Sequence, residues 1–227
     1  MIKDNLEHIR ATVPSSARLI AVSKTKPIEM LQEAYDAGQR LFGENKALEM
    51  RDKHEALPKD IEWHFIGHLQ SNKVKYIAPF VSLIHSIDSL QILQEVNKHA
   101  LKNNRVIDCL LQFHTASEET KFGLDIDEAL SLLNSAEYAQ MQNVRIVGVM
   151  GMATNTPDTD LIRREFGHLK QIFDQLKSDV FAGRPEFKEI SMGMSGDYLI
   201  ALEEGSTLVR AGSSIFGARE YGIKVND

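Results

Sequence analysis

Leu19-Ile20-Ala21-Val22-Ser23-Lys24, followed by Pro27 and a helical run over 28–38, decides the fold. It reads as a buried strand that feeds a helix through a short turn, the unit from which parallel sheets are built. Outward from it the same pattern recurs. β-rich runs lie at 17–24, 40–44, 61–67, 83–87, 107–114, 144–153, 189–195 and 207–216. Amphipathic stretches separate most of them, such as Leu90, Leu93, Val96 and Ala100, then Phe166, Leu169, Ile172 and Leu176. Asp88-Ser89 and Pro157-Asp158 carry helix-start chemistry, and Gly38 and Gly205 carry helix-stop chemistry. Eight strands alternating with helices predict an α/β fold of one domain over residues 1–227: a closed (β/α)8 TIM barrel with an extra N-terminal helix over 1–12. A doubly wound sheet is the alternative. It would place a glycine-rich fingerprint after the first strand, where this chain has Ser23-Lys24-Thr25-Lys26-Pro27.

Composition narrows the function classes. A hydrophobic share of 43% and a charged share of 26% are those of a soluble globular protein. The net charge of −6 and the lack of any basic run argue against nucleic acid as a partner. The polar start, Met1-Ile2-Lys3-Asp4-Asn5, is unlike a signal peptide, and no stretch is long enough to cross a membrane. The single cysteine, Cys109, sits in the apolar run 106–113 and reads as a buried strand residue, so a cytoplasmic, reducing location is expected. The eight histidines lack metal-site spacing, and no Gly-x-Ser-x-Gly elbow occurs. Neither a metal nor serine-hydrolase chemistry is expected.

Barrels place their chemistry at the carboxyl ends of the strands and often bind phosphate after strands 7 and 8. Lys24 ends the first strand. A lysine amine there serves either to hold a phosphate or to form a Schiff base with an aldehyde cofactor. At the other end of the chain, Ser191-Met192-Gly193-Met194-Ser195 and Val209-Arg210-Ala211-Gly212-Ser213-Ser214 are small-residue turns suited to gripping a phosphate. Together these features suggest pyridoxal 5′-phosphate. Arg210 shares strand parity with Gly212, so it faces the ligand if Gly212 does. A guanidinium only donates hydrogen bonds and would keep a pyridine nitrogen unprotonated. Lys24 and Lys26 share parity too. Lys24 is favoured because Lys26 precedes Pro27, which pushes it into an extended turn. Asn45, at the end of the second strand, is placed to hydrogen-bond a ligand. His64, in Trp63-His64-Phe65-Ile66-Gly67, is counted among the cofactor contacts, although a lone histidine in such a strand is more often a core residue.

These segments carry a resemblance. Ala21-Val22-Ser23-Lys24-Thr25-Lys26-Pro27, Phe42-Gly43-Glu44-Asn45, Trp63 to Gly67 with Leu69 to Lys73, Met192 to Ser195 with Asp197, and Val209 to Arg219 run in order along nearly the whole chain. The sequence resembles the pyridoxal 5′-phosphate homeostasis protein family, single-domain relatives of the alanine racemase barrel. The resemblance implies that Lys24 forms the Schiff base, that Arg210 faces the pyridine nitrogen, and that Ser195, Gly212 and Ser213 hold the phosphate. It implies a carrier that buffers vitamin B6 without established catalytic turnover, with no catalytic residues. It also makes acceptor apo-enzymes candidate partners. A monomer is expected. The chain departs from its relatives at the fifth strand, where Gln112-Phe113-His114 replaces Gln-Val-Asn, and in the loop through Lys121. The alternative is an amino-acid racemase of the alanine racemase type. That reaction needs a second acid/base, and because the chain ends at Asp227, soon after the eighth strand, no second domain is expected to supply one. A third possibility is a phosphate-ligand barrel in which Lys24 acts only as a cation.

Overall fold

The structure is a computed structural model that describes residues 1–116 and 122–218. Eight parallel strands close in sequence order into a barrel. They are β1 (Arg18–Val22), β2 (Leu41–Glu44), β3 (Glu62–Phe65), β4 (Leu83–Ile87), β5 (Ile107–Gln112), β6 (Val144–Met150), β7 (Glu189–Ser191) and β8 (Leu208–Ala211). Helix α1 (Ile2–Arg10) precedes the barrel. The outer layer comprises α2 (Ile28–Asp36), α3 (Ala47–Ala56), α4 (Val74–Ile77), α5 (Leu90–Lys102), α6 (Ile126–Leu133), α7 (Ala136–Ala139), α8 (Thr159–Asp179), α9 (Tyr198–Glu203) and α10 (Ser213–Phe216). A 3-10 turn, Ser71–Lys73, leads into α4.

Strand alternation divides the apolar residues into two cores. Leu19, Ala21, Phe42, Trp63, Phe65, Ile84, Cys109 and Val209 face outward into the large sheet–helix layer. Ile20, Leu83, Leu110, Val147, Met150 and Leu208 fill a small inner core. Period-2 side-chain geometry thus sends Ile20, Val22 and the approach to Lys24 inward along one face. Burial pushes the Cys109 thiol pKa up, as fits a packed strand residue.

The helix signals act locally as the sequence predicts. Ser89 Oγ accepts from Ile92 N at 3.2 Å to cap α5, and Asp158 caps α8 through Asp160 N and Leu161 N, both 3.0 Å. Gly38 and Gly205 follow α2 and α9 with φ of +87° and +98°, values that a side chain would strain. The strand ends differ from the sequence expectation. β7 stops at Ser191 rather than 195, and β8 at Ala211, with α10 occupying 213–216. β5 stops at Gln112 and β6 at Met150. The sheet ladder ends early because the chain must turn over the barrel mouth. Gly193 does so at φ +96°, where an added Cβ would lie 2.6 Å from the Ala201 Cβ.

Candidate functional site

A cavity of about 330 Å³ opens at the carboxyl ends of the strands, within the range of small-molecule sites. Lys24, Asn45, Ser195, Arg210, Gly212 and Ser213 all line it. These are six of the seven residues singled out in the sequence. The seventh, His64, lies elsewhere. It is 2% exposed inside the barrel and lines a separate cavity of about 260 Å³ at the opposite mouth, where β1, β3, β5, β6 and β7 begin. Its strand position is two residues too early. Ile66, two residues on along β3's course, is the one that reaches the carboxyl-end cavity. His64 is therefore not placed as a cofactor contact. His114 is exposed and does not line the cavity, and Lys121 lies outside the described residues.

The turn that presents Lys24 is held from behind by buried charges. Ser23 is fully buried and donates its hydroxyl to Glu44 Oε1 at 2.6 Å. Lys53 Nζ donates to Glu44 Oε1 at 2.6 Å, to Ser23 O at 2.7 Å and to Glu49 Oε1 at 2.8 Å. Glu49 also accepts from Thr25 N at 2.6 Å. Thr25 sits at φ +65°, unusual for a β-branched residue, and this reversal breaks the parity shared by Lys24 and Lys26. Lys26 Nζ leaves the strand line and donates to the carbonyls of Phe216, Gly217 and Ala218 at 3.2, 3.2 and 3.0 Å. Geometry separates the two lysines where alternation could not. Burial outweighs the Lys53 charge at Glu44 and pushes its pKa up to about 7, while its second oxygen, Oε2, has no partner.

Across the cavity, three donors converge on Ser195 Oγ. Gly212 N lies at 3.1 Å, Ser214 N at 3.5 Å and the Ser214 hydroxyl at 3.0 Å. The Ser195 hydroxyl hydrogen is left to point elsewhere. A Cβ on Gly212 would stand 3.0 Å from Val22 O, so this position favours a residue without a side chain. Asp197 accepts from Met194 N at 2.6 Å and fixes the turn that carries Ser195. Burial raises the Asp197 pKa.

Arg210 is 4% exposed. It donates through Nη1 to Ser191 Oγ and through Nη2 to Gly151 O at 3.3 Å, and it forms no ion pair among the described residues. Burial lowers its pKa to about 10, still charged at neutral pH, and Asp197 opposes the shift. Asn45 Oδ1 is buried at the same wall without a partner. A fixed cation, an orphaned acceptor, an amine and a serine–glycine cradle fit a phosphate-bearing aldehyde with a pyridine ring. Sequence reasoning missed Glu44, Glu49, Lys53 and His85, which touch the site only through other residues, and it gave Ser191 and Met194 no role of their own within the turn it singled out. It also missed Met152 in the cavity wall. The four-residue spacing of Glu49 and Lys53 on one helix was the available signal for the charge cluster.

Comparison with known proteins agrees with this geometry. The alanine racemase N-terminal domain family matches residues 1–220. The pyridoxal phosphate homeostasis protein of Aquifex aeolicus is 40% identical over 207 residues, covering 90% of this chain and 88% of that protein. PipY of Synechococcus elongatus, solved with PLP bound, is 33% identical with a TM-score of 0.85, over 96% of this chain and 100% of that one. Alanine racemase from Bartonella henselae, with covalently bound pyridoxal phosphate, shares the fold at 17% identity and a TM-score of 0.73, over 99% of this chain and 60% of that one. The chain belongs to the alanine racemase N-terminal domain family and, within it, to the pyridoxal phosphate homeostasis proteins.

Proposed function

We propose that this protein binds pyridoxal 5′-phosphate covalently on Lys24 and acts in cofactor homeostasis rather than catalytic turnover. One observation carries the reading. Lys24, Arg210 and the Ser195–Gly212–Ser213 cradle surround a single cavity of about 330 Å³. When bound, the cofactor would supply an aldehyde, and Lys24 is the amine in the cavity that would hold it. Ser195 and Ser213 offer hydroxyls to the phosphate, and the Gly212 backbone allows it close approach. Arg210 would offer donors and a fixed positive charge to a ring nitrogen and so disfavour its protonation. Asn45, whose Oδ1 has no partner among the described residues, would offer that acceptor to a polar group on the ring.

The same geometry disfavours the racemase alternative. Proton removal on one face and delivery on the other requires two positioned groups. Among the described cavity residues the other amine is Lys26, and three carbonyls hold it. In this reading the protein is a cytoplasmic monomer that passes its cofactor to apo-enzymes. No helix among the described residues is long and apolar enough to cross a membrane.

The test is the absorbance of the purified protein before and after borohydride, followed by peptide mapping. A visible band that borohydride abolishes, with the label on Lys24, is expected. A label elsewhere overturns the assignment. Incubation with L-alanine in deuterated water separates the roles. Rapid Cα deuteration with D-alanine formation makes the protein a racemase.

A further inference from the structure

Beneath Arg210 a chain of hydrogen bonds crosses the barrel interior. Arg210 Nη1 donates to Ser191 Oγ on β7. Ser191 Oγ lies 2.8 Å from His85 Nδ1 on β4, and His85 Nε2 lies 2.9 Å from His64 Nδ1 on β3. All four side chains are nearly sealed, with exposures of 4, 0, 0 and 2% in that order. The chain begins at the cavity that holds Lys24 and ends at His64, in the cavity at the opposite mouth.

The direction of every proton follows from two facts: a guanidinium has donors and no acceptor, and the buried Ser191 hydroxyl has no acceptor other than His85 among the described residues. Ser191 must accept from Arg210, so its own hydroxyl hydrogen goes to His85. His85 then accepts at Nδ1 and carries its proton on Nε2. That proton is donated to His64 Nδ1, which places the His64 proton on Nε2, toward the far mouth. The reverse order also makes the three contacts, with Ser191 accepting from both Arg210 and His85, but it leaves the fully buried Ser191 hydroxyl hydrogen without an acceptor among the described residues. A proton added to His64 Nδ1 would set two N–H donors facing each other, and one added to His85 Nδ1 would turn the Ser191 hydroxyl hydrogen away from its acceptor and place a second cation one residue from Arg210. The surroundings oppose it too. Arg210 lies above the pair. Below, the far mouth carries Arg18, Glu62, Asp108, Arg145, Glu186, Lys188 and Glu189, in which Arg18 pairs with Glu62 and Glu189 and Arg145 with Asp108.

We propose that His85 and His64 are positioning residues: a neutral, single-order relay that, through Ser191, locks Arg210 in the orientation that faces the cofactor cavity. Burial supports the neutrality. It lowers the His64 pKa to about 3 and that of His85 well below the ordinary histidine value, with His64, Arg210 and Arg18 adding to the shift at His85. Buried polar chains of this kind specify one arrangement when every member is satisfied. The role toward the ring nitrogen rests on the proposed function, whereas the proton order does not.

Two measurements test the relay. The first uses protein without cofactor, labelled with nitrogen-15 at histidine, and reads the tautomers from two-bond proton–nitrogen correlations. Both rings should hold the proton on Nε2 and fail to titrate between about pH 5 and 8, where an ordinary histidine titrates. Ser191→Ala should release His85 from the single tautomer. A proton on Nδ1 of His85 in the unsubstituted protein, or titration of either ring in that range, overturns the proposal. The second compares His85→Phe, which keeps the bulk of the ring, with His85→Gln, which carries an acceptor and a donor on one group. If both melt cooperatively, His85→Phe should release cofactor about tenfold faster, the scale of losses from outer residues at bound groups, and shift the pH midpoint of the visible band. His85→Gln should restore both. A folded His85→Phe variant with unchanged release and an unchanged midpoint also overturns it. A borohydride label away from Lys24 would instead sink the proposed function and leave the tautomer result standing.

Discussion

The two mouths of the barrel are built from the same eight strands and carry opposite chemistry. At the amino ends the charges are matched. Arg145 meets Asp108 at 2.7 and 3.0 Å, and Arg18 reaches Glu189 at 3.1 Å and Glu62 at 3.8 Å. At the carboxyl ends, among the described residues, Arg210 has no carboxylate partner and Asn45 Oδ1 has no partner, and three donors gather on one serine oxygen. A matched mouth satisfies itself and contributes modestly to stability. A mouth with surplus donors and buried positive charge is satisfied by an anion brought from outside. The difference places recognition at one end before any relative is considered.

Breaking that comparison at its centre should give the largest effect. Lys24→Ala removes the amine that the cavity presents. The visible band and the borohydride label should be lost completely, while a cooperative melt persists. Lys26→Ala should keep the label on Lys24, because its amine only ties down the carbonyls after α10. Labelling of Lys26 in the Lys24→Ala protein, at the rate seen for the unsubstituted protein, would reverse the assignment.

Ser195→Ala and Ser213→Ala probe the surplus donors. Each removes one hydroxyl donor to a charged acceptor and should cost about 1.5–3 kcal/mol of affinity, or roughly 10- to 150-fold. Titration calorimetry with pyridoxal 5′-phosphate and with pyridoxal reads this directly. Equal affinity for the two ligands would mean that the cradle contributes nothing.

Much of this was legible in the sequence because it depends on local pattern. Alternation predicted the shared face of Arg210 and Gly212, and Gly38, Ser89 and Asp158 marked their own helix ends. His64 was misplaced because alternation assigns a face but not a depth. Depth depends on where β3 begins relative to its neighbours, and that is fixed by pairing of His64 with Gly43 and Leu83. Alternation gave Lys24 and Lys26 one face because it cannot foresee the positive φ at Thr25 that reverses the chain between them, and only the Pro27 argument favoured Lys24. Glu44, Lys53, His85 and Ser191 stayed hidden for another reason. Apart from the Glu49–Lys53 contact within α3, their partners are 9 to 106 positions away in sequence, and only the folding of the barrel brings them together.

The charge cluster behind Lys24 should make stability pH-dependent. The Glu44 pKa is raised from 4.5 to about 7 in the folded state, so between those values the native protein binds more protons than the unfolded chain. Stability from this group is therefore full below about pH 4.5 and is lost as pH rises to about 7. The loss should be on the order of 1–3 kcal/mol, and Glu44→Gln should flatten that part of the profile. Urea melts of the two proteins at matched pH values test it. Parallel profiles would show that Glu44 is ionised throughout and that the Lys53 charge dominates its burial.

The smallest effect belongs to the matched mouth. Asp108→Asn keeps the shape of the side chain and removes the charge facing Arg145. Arg145 is half-exposed at 52%, so water already screens the pair, and the loss should be about 0–1 kcal/mol of stability. Cofactor affinity should not change, because Asp108 lies at the end of the barrel remote from Lys24. One result would join the two ends. A change in the pH midpoint of the visible band in Asp108→Asn, without a change in stability, would mean that charge at the amino-end mouth is felt at Arg210. The chain of His64, His85 and Ser191 is the one continuous hydrogen-bonded path between them among the described residues.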